Sequence, residues 1–152
     1  MALTQAQITL VTSAIGAFIG LIPVAVTAYV KLMEVLKPLI SRRKAKIAIL
    51  ASEDQRTEAT AFLMSLRTQG GYRDVILTHS PATLGDRQIV IVWRPTNPEA
   101  QLTSDAIRKA SPTAHQLTLS YPRLDLKLSD QVLCVNSPMR LRGDLAVLAE
   151  SM

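Results

Sequence analysis

The apolar runs in the carboxyl-terminal two thirds of the chain are each followed by residues able to grip a polar ligand. Ser52, Glu53, Asp54 and Arg56 follow the first run, Thr78, His79 and Ser80 the second, and Trp93, Arg94 and Thr96 the third. Ser120, Tyr121 and Arg123 follow the fourth, and Asn136, Ser137 and Arg140 the fifth. Arginine forks onto phosphate oxygens, and the rings of Trp93 and Tyr121 offer faces on which a base can stack. That mixture suits a nucleotide-type ligand, with Ser52, Asp54, Arg56, His79, Trp93, Arg94, Tyr121, Arg123, Asn136 and Arg140 as the candidate binding set. The competing reading is that strand ends are polar in any sheet protein and that Trp93 caps a core. No Ser-His-Asp order, paired carboxylate motif or activated cysteine is discernible, so binding is expected rather than catalysis. His79 and His115 stand far apart and Cys134 is the single cysteine, so no structural zinc site, no internal disulfide and no cofactor are expected; Cys134, in an apolar run, reads as a buried strand residue.

These ligand-gripping groups converge only if the runs are parallel strands of one sheet. Lys46–Leu50, Asp74–Thr78, Gln88–Trp93, Gln116–Ser120 and Gln131–Val135 read as five strands, the third apolar throughout as a strand buried on both faces should be. Between them, Arg56–Thr68 carries Ala59, Phe62, Leu63 and Leu66 at helical spacing and stops at Gly70-Gly71. A short helix near Ala100–Lys109 and a closing helix over Met139–Ala149 complete an alternating pattern, which implies a parallel sheet with right-handed crossovers. Arg123–Leu128 alternates at period two and reads as an edge strand in place of a further helix.

Ahead of this domain, Ile8–Val30 carries no charge. At roughly 1.5 Å per residue it measures about 35 Å as a helix, enough for a hydrocarbon core of about 30 Å. Thr9, Ser13, Gly16, Gly20, Pro23 and Thr27 recur at steps of three and four and form one stripe of small or weakly polar residues. Gly16 to Gly20 is a GxxxG step, which permits close approach of helices. The stripe reads as tolerated residues in a lone anchor, as a packing seam between copies, or as the lining of a pore with Glu34 near its cytoplasmic mouth, about a quarter turn off the stripe. A single span cannot conduct alone, so a pore demands a homo-oligomer. Apolar helical character continues past the span, with Pro38 expected to break or kink it.

Of 17 basic and 12 acidic residues, Lys31, Lys37, Arg42, Arg43, Lys44 and Lys46 follow the span with Glu34 as their sole acidic neighbour, and from Ile47 onward 11 basic residues meet 11 acidic ones. The surplus charge is therefore juxtamembrane, suited to anionic lipid rather than nucleic acid. By the positive-inside rule it places the amino terminus outside and the carboxyl-terminal domain in the cytoplasm of an inner membrane. The segment before the span lacks Lys and Arg, so a cleavable secretory signal fits poorly. The expected organisation is a transmembrane helix and stalk over 1–40 and a cytosolic Rossmann-like α/β domain over 41–152.

With Glu53-Asp54 after its first strand, the domain resembles a response-regulator receiver or another flavodoxin-like module. A receiver carries a phosphoacceptor Asp ending the third strand and a Lys ending the fifth; here those positions read Trp93-Arg94 and Asn136-Ser137-Pro138, so phosphotransfer is not expected. Ala51–Arg56 is neither a P-loop nor a dinucleotide-binding turn. In size and domain order the whole chain is similar to the membrane effectors of bacterial anti-phage signalling, of the CBASS, membrane-linked CARF and Hailong types. That resemblance implies a nucleotide or oligonucleotide messenger sensed in the cytoplasm and a membrane part that permeabilises or depolarises. The alternative expectation is a membrane-tethered, degenerate receiver-like scaffold that recruits proteins.

Overall fold

The computed structural model describes residues 4–120 and 132–152. The chain divides into two compact units, Met1–Lys37 and Pro38–Met152.

The first unit is carried by helix α1, Gln5–Lys44, whose last turns belong to the second. Its segment from Gly16 is long and apolar enough to cross a membrane, and none of that apolar window is buried within the chain. Phe18, Leu21, Val24 and Val35 are more than 60 % exposed, a surface that water does not tolerate over such a length. The expected interruption at Pro38 does not end the helix. A proline removes one N–H from the ladder, here the one that would reach the carbonyl of Glu34, and the flanking bonds carry the helix on to Arg42, Arg43 and Lys44. Those three cations sit in the last turn, where the helix dipole favours them.

The second unit is a five-stranded parallel sheet of strands β1 (Lys46–Leu50), β2 (Asp74–Thr78), β3 (Ile89–Trp93), β4 (His115–Leu119) and β5 (Val132–Val135), in the spatial order 2-1-3-4-5. That is the flavodoxin-like order. Helices α2 (Arg56–Thr68) and α3 (Asn97–Ala110) supply the β1–β2 and β3–β4 crossovers, α4 (Pro138–Ser151) closes the chain after β5, and the β2–β3 connection is shortened to a 3-10 turn at Pro81–Thr83. Period-two alternation sorts the strand side chains into two cores. Ile47, Ile49, Ile89, Ile91, Trp93, Leu117 and Leu119 meet Phe62 and Leu66 of α2 and Leu141 and Leu145 of α4. Ala48, Leu50, Val90 and Val92 meet Leu84 and Ile107 on the opposite face. β3 is buried at every position, as its unbroken apolar sequence requires. Cys134, expected to be buried, is exposed, because β5 lies at the end of the strand order and its central residues gain less cover than those of β3. The Arg123–Leu128 stretch expected as an edge strand lies outside the described residues.

Candidate functional site

In the order 2-1-3-4-5 the chain leaves β1 toward β2 and leaves β3 toward β4, so the loops at the carboxyl ends of β1 and β3 diverge and open a crevice between them. A cavity of about 210 Å³ occupies that position, lined by Ser52 and Gln55 after β1, His79 and Pro81 after β2, Trp93, Arg94 and Pro95 at the end of β3, and Glu99 and Thr103 of α3. A recess of about 90 Å³ adjoins it, lined by Ser52, Glu53, Arg56, Thr78 and His79.

The turn at Arg94 shapes the crevice. Arg94 has φ +43°, in the left-handed region that costs a non-glycine residue about 1 kcal/mol or more, and the surroundings hold it there at three points. Its N–H donates to the Leu119 carbonyl at 2.8 Å, its carbonyl accepts from Gln55 Nε2 at 3.1 Å, and its Nη1 donates to Glu58 Oε2 at 2.7 Å. Gln55, at the end of the 3-10 turn Glu53–Gln55, thereby ties the loop after β1 to the loop after β3.

Two residues of the lining each carry a polar atom buried without a protein partner: Trp93 its Nε1, a donor, and Gln55 its Oε1, an acceptor. Leaving such groups unsatisfied costs about 1–3 kcal/mol each. The Trp93 ring is 5 % exposed and packs on Phe62 with centroids 5.0 Å apart, so its face belongs to the core and is not offered for base stacking.

The charges of the site are already matched. Arg94 pairs with Glu58, and Arg56 with Glu53 at 2.8 Å. Glu99 enters the first turn of α3, where the Thr96 hydroxyl donates to its Oε2 at 2.7 Å and the Thr96 N–H donates at 3.1 Å. These bonds from Thr96 hold the Glu99 carboxyl below its usual range, so a carboxylate occupies the helix end at which a phosphate would otherwise be welcome.

Of the binding residues expected from sequence, Ser52, His79, Trp93 and Arg94 line the crevice and Arg56 lines the adjoining recess. Asp54 lines neither, although it lies close enough to Glu99 to act on it electrostatically. Asn136 and Arg140 do not join them; Arg140 sits in the first turn of α4, 3.9 Å from Asp144, at the far side of β4 from the switch point. Tyr121 and Arg123 lie outside the described residues. Gln55, Pro81, Glu99 and Thr103 were not anticipated. Gln55 carried a signal in its place within the loop after β1, whereas Glu99 falls on α3 because the helix begins at Asn97, three residues ahead of the expected start; Thr103 lies within the expected helix, but nothing in the sequence aimed it at the crevice.

Along α1, the stripe is built as follows. Thr9 Oγ1 donates to the Gln5 carbonyl at 3.0 Å and Thr27 Oγ1 to the Pro23 carbonyl at 2.8 Å, so both hydroxyl protons are used within the helix and only oxygen lone pairs face outward. A Cβ added at Gly16 or Gly20 meets nothing within 4 Å. Ser13 and Glu34 are exposed. Among the described residues no group of three or more His, Cys, Asp or Glu is placed to hold a metal ion. Comparison with protein-family models, curated proteins and solved structures finds no match to this chain.

Proposed function

We propose that this protein is a single-pass membrane effector whose cytosolic α/β domain senses a small nucleotide-type signal at the switch-point crevice, and whose span assembles with other copies to form or gate a pore, as in anti-phage signalling. The observation that carries the sensing role is the pair of buried, unpartnered atoms on two residues of the crevice lining, Trp93 Nε1 and Gln55 Oε1. A heterocycle edge bearing an acceptor beside a donor, as nucleobases do, is the chemistry that complements such a pair. With Arg56 and Arg94 engaged by carboxylates, selectivity rests on this neutral edge more than on phosphate charge. The role is binding and not catalysis, with the domain in the cytoplasm and the amino terminus outside.

The test is a thermal-shift screen of the full chain in detergent against nucleosides, nucleotides and cyclic nucleotides. A ligand specific to the native state raises the midpoint by mass action, and Gln55→Leu removes the rise. A screen without any shift removes the sensing role. The second reading, a membrane-tethered scaffold for protein partners, is favoured by the same ion pairs: with Arg56 and Arg94 neutralised and Glu99 at the α3 amino end, the crevice holds no spare cation for a phosphate.

A further inference from the structure

A second cavity, of about 260 Å³, lies on the α2–α4 face of the sheet and takes no part in the switch-point crevice. It is lined by Ser65, Gln69 and Gly70 at the end of α2, Tyr72 ahead of β2, Arg142 and Gly143 of α4, and Arg42 in the last turns of α1. Among the described residues lining it there is no carboxylate.

The guanidinium of Arg142 is held by neutral groups: Nη2 donates to Ser65 Oγ at 2.7 Å and Nη1 to Gln69 Oε1 at 3.2 Å. Its carbon lies 5.8 Å from the centroid of the Phe62 ring, which fixes the plane without discharging it. Arg42 donates through Nη2 to Glu150 at 2.9 Å, yet its Nε is buried with no protein partner. The Tyr72 hydroxyl is likewise buried and unpartnered, on a side chain 3 % exposed. Burial lifts the Tyr72 pKa, an effect that the nearby Arg42 charge partly offsets and the Glu150 carboxylate reinforces. The phenol therefore remains a donor, close to Arg42. Gly70 leaves room for the ring, since a Cβ there would fall 2.8 Å from it. Gly143 leaves its wall open, with no atom within 4 Å of a Cβ built there.

We propose that this cavity binds an oxyanion of the phosphate class, held between the Arg142 and Arg42 guanidiniums with the Tyr72 hydroxyl donating to it. Arg142, held by neutral groups alone, and the buried Tyr72 donor, with no carboxylate among the lining residues, set this cavity apart from the switch-point crevice, where both arginines are matched and Glu99 intrudes; Arg42 adds its free Nε while keeping Glu150 as a partner just outside the wall. Arg42 lies in the last turns of α1, within the same compact unit as the rest of the lining. The phosphate can belong to a soluble compound or to a lipid headgroup.

The experiment titrates inorganic pyrophosphate into the full chain, in neutral detergent and in nanodiscs of phosphatidylcholine with and without phosphatidylglycerol, by calorimetry. Saturable binding is expected, weakened about tenfold or more by Arg142→Gln and by the cavity-filling Gly143→Leu, and unchanged by Lys109→Gln on α3. Tyr72→Phe is expected to weaken binding severalfold while leaving the melting temperature level or higher, because it deletes an unpartnered polar atom. Suppression of binding by phosphatidylglycerol identifies the headgroup as the source, and indifference to it identifies a soluble phosphate. Equal binding by the parent and Arg142→Gln, or no saturable binding and no phosphatidylglycerol-dependent rise in melting temperature, overturns the proposal. Neither result touches the switch-point reading, since Arg42, Tyr72 and Arg142 do not line that crevice.

Discussion

The apolar run of α1 and that of β3 are alike in composition and opposite in surroundings. Phe18, Leu21, Val24 and Val26 have no neighbours in the chain to cover them, whereas Ile89, Val90, Ile91, Val92 and Trp93 are covered on both faces by α2, α4 and α3. Hydrophobicity alone does not separate the two. Length does: five residues of β3 rise about 17 Å and fit within a domain, while the span of α1 matches a bilayer. The strand's apolar surface is satisfied by its own chain, and the helix's, long and apolar enough to span a membrane, is left uncovered by the chain.

Single substitutions sharpen that contrast. Val26→Arg places a charge in the span at a cost of about 2.5–3.5 kcal/mol at a helix centre, and the double variant Leu21→Arg/Val26→Arg is expected to abolish membrane insertion, read by carbonate extraction. Ile91→Ala should leave insertion intact and lower domain stability by about 2–5 kcal/mol, read as a fall in melting temperature. If both variants acted on the same readout, the division into a lipid-facing run and a self-buried run would fail.

A subtler break falls on the stripe. Because a Cβ at Gly16 or Gly20 meets nothing in the chain itself, any effect of Gly16→Leu/Gly20→Leu reports contact with another molecule. Insertion should survive, while cross-linked oligomers and dye uptake by expressing cells should disappear. Ile22→Ala, off the stripe, is the control. Permeabilisation equal to the parent would leave the span an anchor only.

The smallest effect concerns the helix that borders the crevice. Glu99 is held below its usual pKa by the Thr96 hydroxyl and N–H, so the bonds stabilise the first turn of α3 above the ordinary glutamate value and are lost as pH falls through the lowered one. Glu99→Gln should therefore melt lower than the parent at pH 7, and the gap should close as the pH falls through the lowered value. A gap that persists in acid would assign the difference to something other than the carboxylate.

The five strands and their order of burial were legible because period-two alternation and short β-branched runs report directly on a sheet packed on both faces, as in Ile47–Leu50 and Ile89–Trp93. The site was legible only in outline. Ser52, His79, Trp93 and Arg94 follow strand ends, and the switch-point rule brings such ends together. What sequence did not carry was pairing across the chain: that Glu58, 36 residues away, neutralises Arg94, or that Phe62 takes up the face of Trp93. Arg140 was misplaced for the same reason, since distance from the switch point depends on strand order and not on strand number. Exposure of Cys134 likewise follows from β5 standing at the end of that order.

Trp93 is the chain's single tryptophan and one of the residues lining the crevice, so its emission is a local probe of crevice occupancy. Titrating the full chain in detergent with a panel of nucleosides and nucleotides should give, for the cognate compound, a saturable change in Trp93 fluorescence that Gln55→Leu weakens about tenfold through loss of the paired acceptor. Emission unmoved across the panel, or a change that Gln55→Leu leaves intact, would contradict the account of the switch-point crevice as a ligand sensor.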